Sequence, residues 1–88
     1  MQRNKVLAKE ILEIIVRGDV GGGGLYGREI LNIFADKYQH QLPAGLEDAV
    51  SYHLQLLASA GFLKSAKSEH DEENFEMTWA GHDFIEAD

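Results

Sequence analysis

Apolar residues recur along the chain with two different periods, and the change of period lays out the elements. Val6, Leu7, Ile11, Leu12, Ile14 and Ile15 return at three- and four-residue spacings, which predicts an amphipathic helix from about Asn4 to Arg17. Asn4 is suited to cap that helix and Gly18 to end it. Ile30, Leu31, Phe34 and Tyr38 predict a second helix, about Tyr26 to Gln39, with Pro43 closing the linker behind it. A third helix is expected from Leu46 to Ala60. At 100° per residue, Leu46, Val50, His53, Leu57 and Ala60 fall on its inner face, and Asp48, Ser51, Tyr52, Gln55 and Ser59 on the outer one. Gly61 follows as a left-handed terminator. Beyond it, Phe62 to Lys67 and Phe75 to Thr78 read as short strands, joined by a polar hairpin loop from Ser68 to Asn74. Thr78 is placed to cap a last short helix, Trp79 to Ala87, which is expected to bury Trp79 and Phe84.

Three helices, a hairpin and a short C-terminal helix are the order of a winged helix-turn-helix, a mainly α fold of the α+β class. The second and third helices would form the helix-turn-helix. The hairpin, about residues 62–78, would be a two-stranded wing, and the C-terminal helix would occupy about 79–87. The 88 residues are one domain's worth, so a single domain over 1–88 is expected. The glycine run from Gly21 to Gly24 forbids regular structure and reads as a flexible connector. It is not a phosphate loop, because Leu25-Tyr26-Gly27-Arg28 follows it where Lys-Ser or Lys-Thr would be required.

Two segments carry a resemblance. Tyr52-His53-Leu54-Gln55-Leu56-Leu57-Ala58-Ser59-Ala60-Gly61-Phe62 is similar to a YHLxLLxxAG(L/F) helix end. Met77-Thr78-Trp79-Ala80-Gly81-His82-Asp83-Phe84-Ile85 is similar to an (L/M)TWxGHDF(L/I) segment. Together, and with the opening Met1-Gln2-Arg3-Asn4, they resemble a family of small bacterial and phage winged-helix proteins of unknown function. The resemblance covers about 20 of the 88 residues. It implies the winged-helix fold and a bacterial, phage or prophage setting, and it implies no activity.

Composition removes several kinds of chemistry. The chain has no cysteine, which excludes a disulfide framework, a thiol nucleophile and a cysteine zinc site. No apolar run approaches the roughly 20 residues of a membrane-spanning helix, and no leader pattern follows Met1, so a cytoplasmic protein is expected. His40, His53, His70 and His82 are scattered; neither His82 with Glu86 nor His70 with its acidic neighbours offers the ligand set of a metal site. His53 falls on an apolar helix face and reads as a hydrogen-bonded core histidine. Gly81-His82-Asp83 is not a catalytic dyad, since adjacent helical residues point about 100° apart. Gly81 instead reads as the point where the last helix approaches the core. No enzyme activity and no cofactor are expected.

Charge bears most directly on the partner. Acidic residues number 15 and basic ones 8, a net charge of −7. Residues 1–17 carry Arg3, Lys5, Lys9 and Arg17 against Glu10 and Glu13, a net +2, whereas residues 63–88 carry two lysines against eight acids, a net −6. The third helix has no basic residue, and Glu47 and Asp48 stand at its start, where a recognition helix would meet phosphates. Phosphate contacts supply nearly all non-specific DNA affinity. The face is therefore expected to take a protein partner ahead of nucleic acid, through Asp48, Tyr52, Gln55 and Ser59 of the third helix and Glu69, Asp71, Glu72 and Glu73 of the wing. Inhibition of a host nucleic-acid-binding system is one concrete form. The alternative is a DNA-binding transcriptional regulator that holds phosphates with Arg3, Lys5 and Lys9. Either would act as a monomer or homodimer, away from membranes.

Overall fold

Residues 2–87 are described by the computed structural model. Its first helix, α1 (Lys5–Gly18), forms the centre of the core, with Ile11, Leu12 and Ile15 wholly buried. The Asn4 side chain caps it by accepting from the backbone N–H groups of Val6 and Leu7. A two-residue strand, β1 (Leu25–Tyr26), precedes α2 (Gly27–Lys37), and α3 (Leu46–Ser59) follows. The hairpin consists of β2 (Leu63–Lys67) and β3 (Glu73–Met77), and α4 (Trp79–Glu86) completes the order. Among the described residues, four helices and a three-stranded antiparallel sheet make this an α+β fold.

The sheet order is β1-β3-β2, with Leu25 opposite Phe75, Leu63 opposite Met77 and Lys67 opposite Glu73. The sheet thus has a third strand, not the two expected of the hairpin alone. Leu25 on β1 and Phe75 on β3 are both buried against the helices, joined by Ile30, Phe34, Val50, Leu54 and Leu57. A strand of two residues has no periodicity to read. Its pairing with Phe75 and Asn74, some fifty positions later, defines it.

The residues expected to end helices and start them do so with a shared geometry. At the end of α3, Gly61 adopts φ +86°. The Phe62 N–H then reaches the Leu57 carbonyl at 3.0 Å and the Gly61 N–H the Ala58 carbonyl at 3.2 Å, the paired bonds of a Schellman motif. Thr78 caps α4 by accepting from the Gly81 N–H at 3.1 Å, and its hydroxyl donates to the Gly61 carbonyl at 2.6 Å. One side chain therefore ties the end of α3 to the start of α4. Gly81 is buried, and a Cβ there would overlap the Phe62 carbonyl. Phe62 and Phe84 pack beside this contact with ring centroids 5.0 Å apart. The two segments that carry the resemblance thus meet in one junction.

Several expectations are corrected. Trp79 is 86 % exposed and belongs to no core. The close approach of Gly81 sets the rotation of α4, which turns Gly81, Phe84 and Ile85 inward and the first residue outward. Tyr38, at the frayed end of α2, and Ala60, just past α3, are also exposed rather than inward. The hairpin loop is shorter than the polar run, because Glu73 and Asn74 belong to β3.

The glycine run is not a free connector. The Asp19 carboxylate accepts from the N–H groups of Gly22 and Gly24, and the Asn74 amide donates to the Gly23 carbonyl at 2.8 Å. Gly24 has φ +85° and lies so near β3 that a Cβ would overlap Asn74 and the Phe75 carbonyl.

Candidate functional site

The outer edge of α3, the start of α2 and strand β3 enclose a groove of about 240 Å³. Ser51 and Gln55 reach it from α3, Tyr26 and Arg28 from the start of α2, and Glu72 and Glu73 from the hairpin, with Leu54 and Phe75 beneath. Local rules place each group. Ser51 and Gln55 are four apart and share a helix face. The Glu29 carboxylate accepts from the Tyr26 N–H at 2.9 Å and fixes the start of α2. Ser68 folds the hairpin tip by accepting from the N–H groups of His70 and Glu72, with Asp71 in the left-handed region at φ +65°.

Charge in the groove is organised. The Gln55 amide donates to Glu73 at 2.9 Å, and the Arg28 guanidinium meets Glu72 at 3.4 Å. Arg28 was not singled out in the sequence, because 44 positions separate it from its partner. Glu47 and Asp48 continue the acidic edge along the first turn of α3, where they also complement the helix dipole.

The remaining residues of the expected surface are spread more widely. Glu69 and Asp71 are exposed at the hairpin tip, where Asp71 lies 4.0 Å from Lys67. Tyr52 is half-buried and packs edge-on against His53 at 5.4 Å. Ser59 lies one turn beyond Gln55, at the C-terminal end of α3 and outside the groove. There it lines a second cavity of about 200 Å³, together with Arg3 and Lys5 from the start of α1. The structure thus joins Gln55, Glu72 and Glu73 in one groove and sets Ser59 apart from them.

His53 forms part of that second cavity but is no ligand. It is 2 % exposed, its Nε2 accepts from the Asn4 N–H at 2.8 Å and its Nδ1 lies 2.7 Å from the Ala49 carbonyl. Those partners require the proton on Nδ1 and a bare Nε2. Among the described residues, no group of three or more histidines and carboxylates is placed to hold a metal ion. No helix among them is long and apolar enough to cross a membrane.

The fold and groove define a small α+β domain with a groove beside a hairpin, lined by Leu54 and Phe75 together with Arg28, Glu72 and Glu73. Residues 25–88 match the model of the family of hypothetical proteins DUF2513, and the chain belongs to that family. The match begins at β1 and takes in both segments of the α3–α4 junction, while α1 precedes it. No curated protein and no solved structure matches the chain.

Proposed function

We propose that the protein is a winged helix that acts as a non-catalytic interaction module, receiving a basic segment of a protein partner on the groove between α3 and the hairpin. The element order, with β1 added to β3 and the sheet arranged β1-β3-β2, supports the winged-helix reading. The observation that carries the functional reading is the charge of the groove. Its one cation, Arg28, is paired with Glu72, while Glu73 and the first turn of α3 add carboxylates along the same edge. Over residues 45–78 there are two basic and seven acidic residues, a net −5. A duplex approaching this face meets like charge, and a basic protein surface meets complementary charge that speeds the encounter. Competition with nucleic acid for a basic groove on a host protein is the concrete form of such a role, in keeping with the phage or prophage setting that the resemblance implies.

The test is a pair of titrations at two salt concentrations, one with a labelled lysine- and arginine-rich peptide and one with a labelled DNA duplex. The peptide is expected to bind, more weakly at the higher salt. Asp48→Lys combined with Glu72→Lys is expected to weaken it by about tenfold or more. Sub-micromolar duplex binding at physiological salt, lost on replacing Arg3 and Lys5 with Ala, would overturn this reading and establish a DNA-binding regulator that uses α1.

A further inference from the structure

The chain's single tryptophan stands in water. Trp79 opens α4 at 86 % exposure and contributes nothing to the core. Trp79, Asp83 and Glu86, at i, i+4 and i+7, form an outward stripe in which all three are exposed. Indoles are rarely left hydrated without a partner, and they are enriched among the residues that dominate protein interfaces.

A receptor of matching chemistry lies beside α4. The cavity of about 200 Å³ between the start of α1 and the end of α3 has walls of Leu56, Phe62 and Phe84, and Arg3 and Lys5 stand at its rim. Pockets that hold drug-sized ligands usually measure about 300–1,000 Å³, so this one suits a single bulky side chain. Both ring nitrogens of His53 have partners inside the chain, so the cavity asks for no polar ligand there. Its rim cations favour an aromatic face with carboxylates beside it.

We propose that these are the two halves of one contact, and that the protein forms a two-fold dimer in which Trp79 of each copy enters the α1–α3–α4 cavity of the other. Asp83 and Glu86 then face Arg3 and Lys5 of the second copy. Charge selects a second copy as the occupant. Asp83 and Glu86 of α4 meet Arg3 and Lys5, so that within a chain of net charge −7 this contact pairs opposite charges. Knob and hole share α4, so a single two-fold axis satisfies both contacts and closes the assembly. The dimer leaves the groove between α3 and the hairpin open.

The sole tryptophan reports its own burial. Across a dilution series of the full chain, light scattering is expected to show mass doubling, and Trp79 emission is expected to shift to the blue with the same midpoint. Trp79→Ala should weaken dimerisation by about 30-fold or more. Its melting curve should match that of the wild type at a concentration where both are monomers. Arg3→Glu with Lys5→Glu should weaken dimerisation as well, and mixing that variant with Asp83→Lys/Glu86→Lys should restore a heterodimer. Asp48→Lys with Glu72→Lys should leave the dimer intact, which separates this contact from the acidic groove. A wild type that stays monomeric to millimolar concentration would overturn the proposal. So would a dimer that leaves Trp79 emission unchanged, or one that Trp79→Ala does not weaken.

Discussion

Three single residues hold the helices in register, two by side-chain bonds to backbone and one by close approach. His53 links α3 to the start of α1 through the Asn4 N–H, and Thr78 links the ends of α3 and α4 through the Gly61 carbonyl. Gly81 acts by having no side chain at all. An alanine there would place its Cβ against the Phe62 backbone, which is already committed to the Schellman turn and cannot yield as a side-chain tip can. Gly81→Ala is therefore expected to cost roughly 1–3 kcal/mol, the usual range for overpacking. Urea unfolding followed by circular dichroism would measure it. A cost within about 0.5 kcal/mol, as at an ordinary surface position, would show that α4 can move away from Phe62.

At the scale of elements, the sheet and the glycine run depend on each other. β1 is too short to be stable alone. It is held by pairing with β3, by the anchoring of Leu25 in the core, and by the loop before it. That loop takes its shape from the two bonds to the Asp19 carboxylate and the one from Asn74. Asp19→Ala removes two acceptor contacts at a partly exposed site, so a loss of about 1 kcal/mol is expected. The sharper readout is hydrogen exchange. The amides of Gly22 and Gly24 should lose protection, while those of α1 and α3 keep theirs until global unfolding. Unchanged exchange at both glycines would mean that the loop does not depend on Asp19. The hairpin tip beyond β2 and β3 is less constrained, since Glu69, His70 and Asp71 are all exposed.

For the whole molecule, charge and exposed apolar surface are distributed unevenly. The hairpin and α3 present carboxylates, the start of α1 presents cations, and Trp79 stands exposed on α4. These features add little to the stability of the monomer. Salt bridges such as Arg28–Glu72 and Lys37–Glu10 join exposed or partly exposed groups, whose pairs contribute at most about 1 kcal/mol. Trp79→Ala is accordingly expected to change the stability of the monomer by less than about 0.5 kcal/mol. Truncation of a buried tryptophan would cost about 3–5 kcal/mol. Thermal melts in dilute solution distinguish the two outcomes, and a large drop would return Trp79 to the core.

The four helices, the hairpin and their caps were legible in the chain because each depends on neighbours within a few positions. Asn4, Gly61 and Thr78 act on backbone groups two to four residues away, and the apolar spacing of α1 and α3 names the buried face directly. His53 as a core histidine and Gly81 as a contact point were legible for the same reason. Tertiary structure alone decided the rest. β1 exists only opposite Phe75, the glycine run is shaped by Asp19 together with Asn74, and Arg28 meets Glu72 across 44 positions. The groove gathered Gln55 with Glu72 and Glu73 but left out Ser59, one turn farther along α3, where the end of that helix lies beside the start of α1. Trp79 shows the difference most plainly. Its apolarity pointed inward, but a helix of eight residues has one rotation about its axis, and the contact of Gly81 with Phe62 sets that rotation and leaves the indole outside.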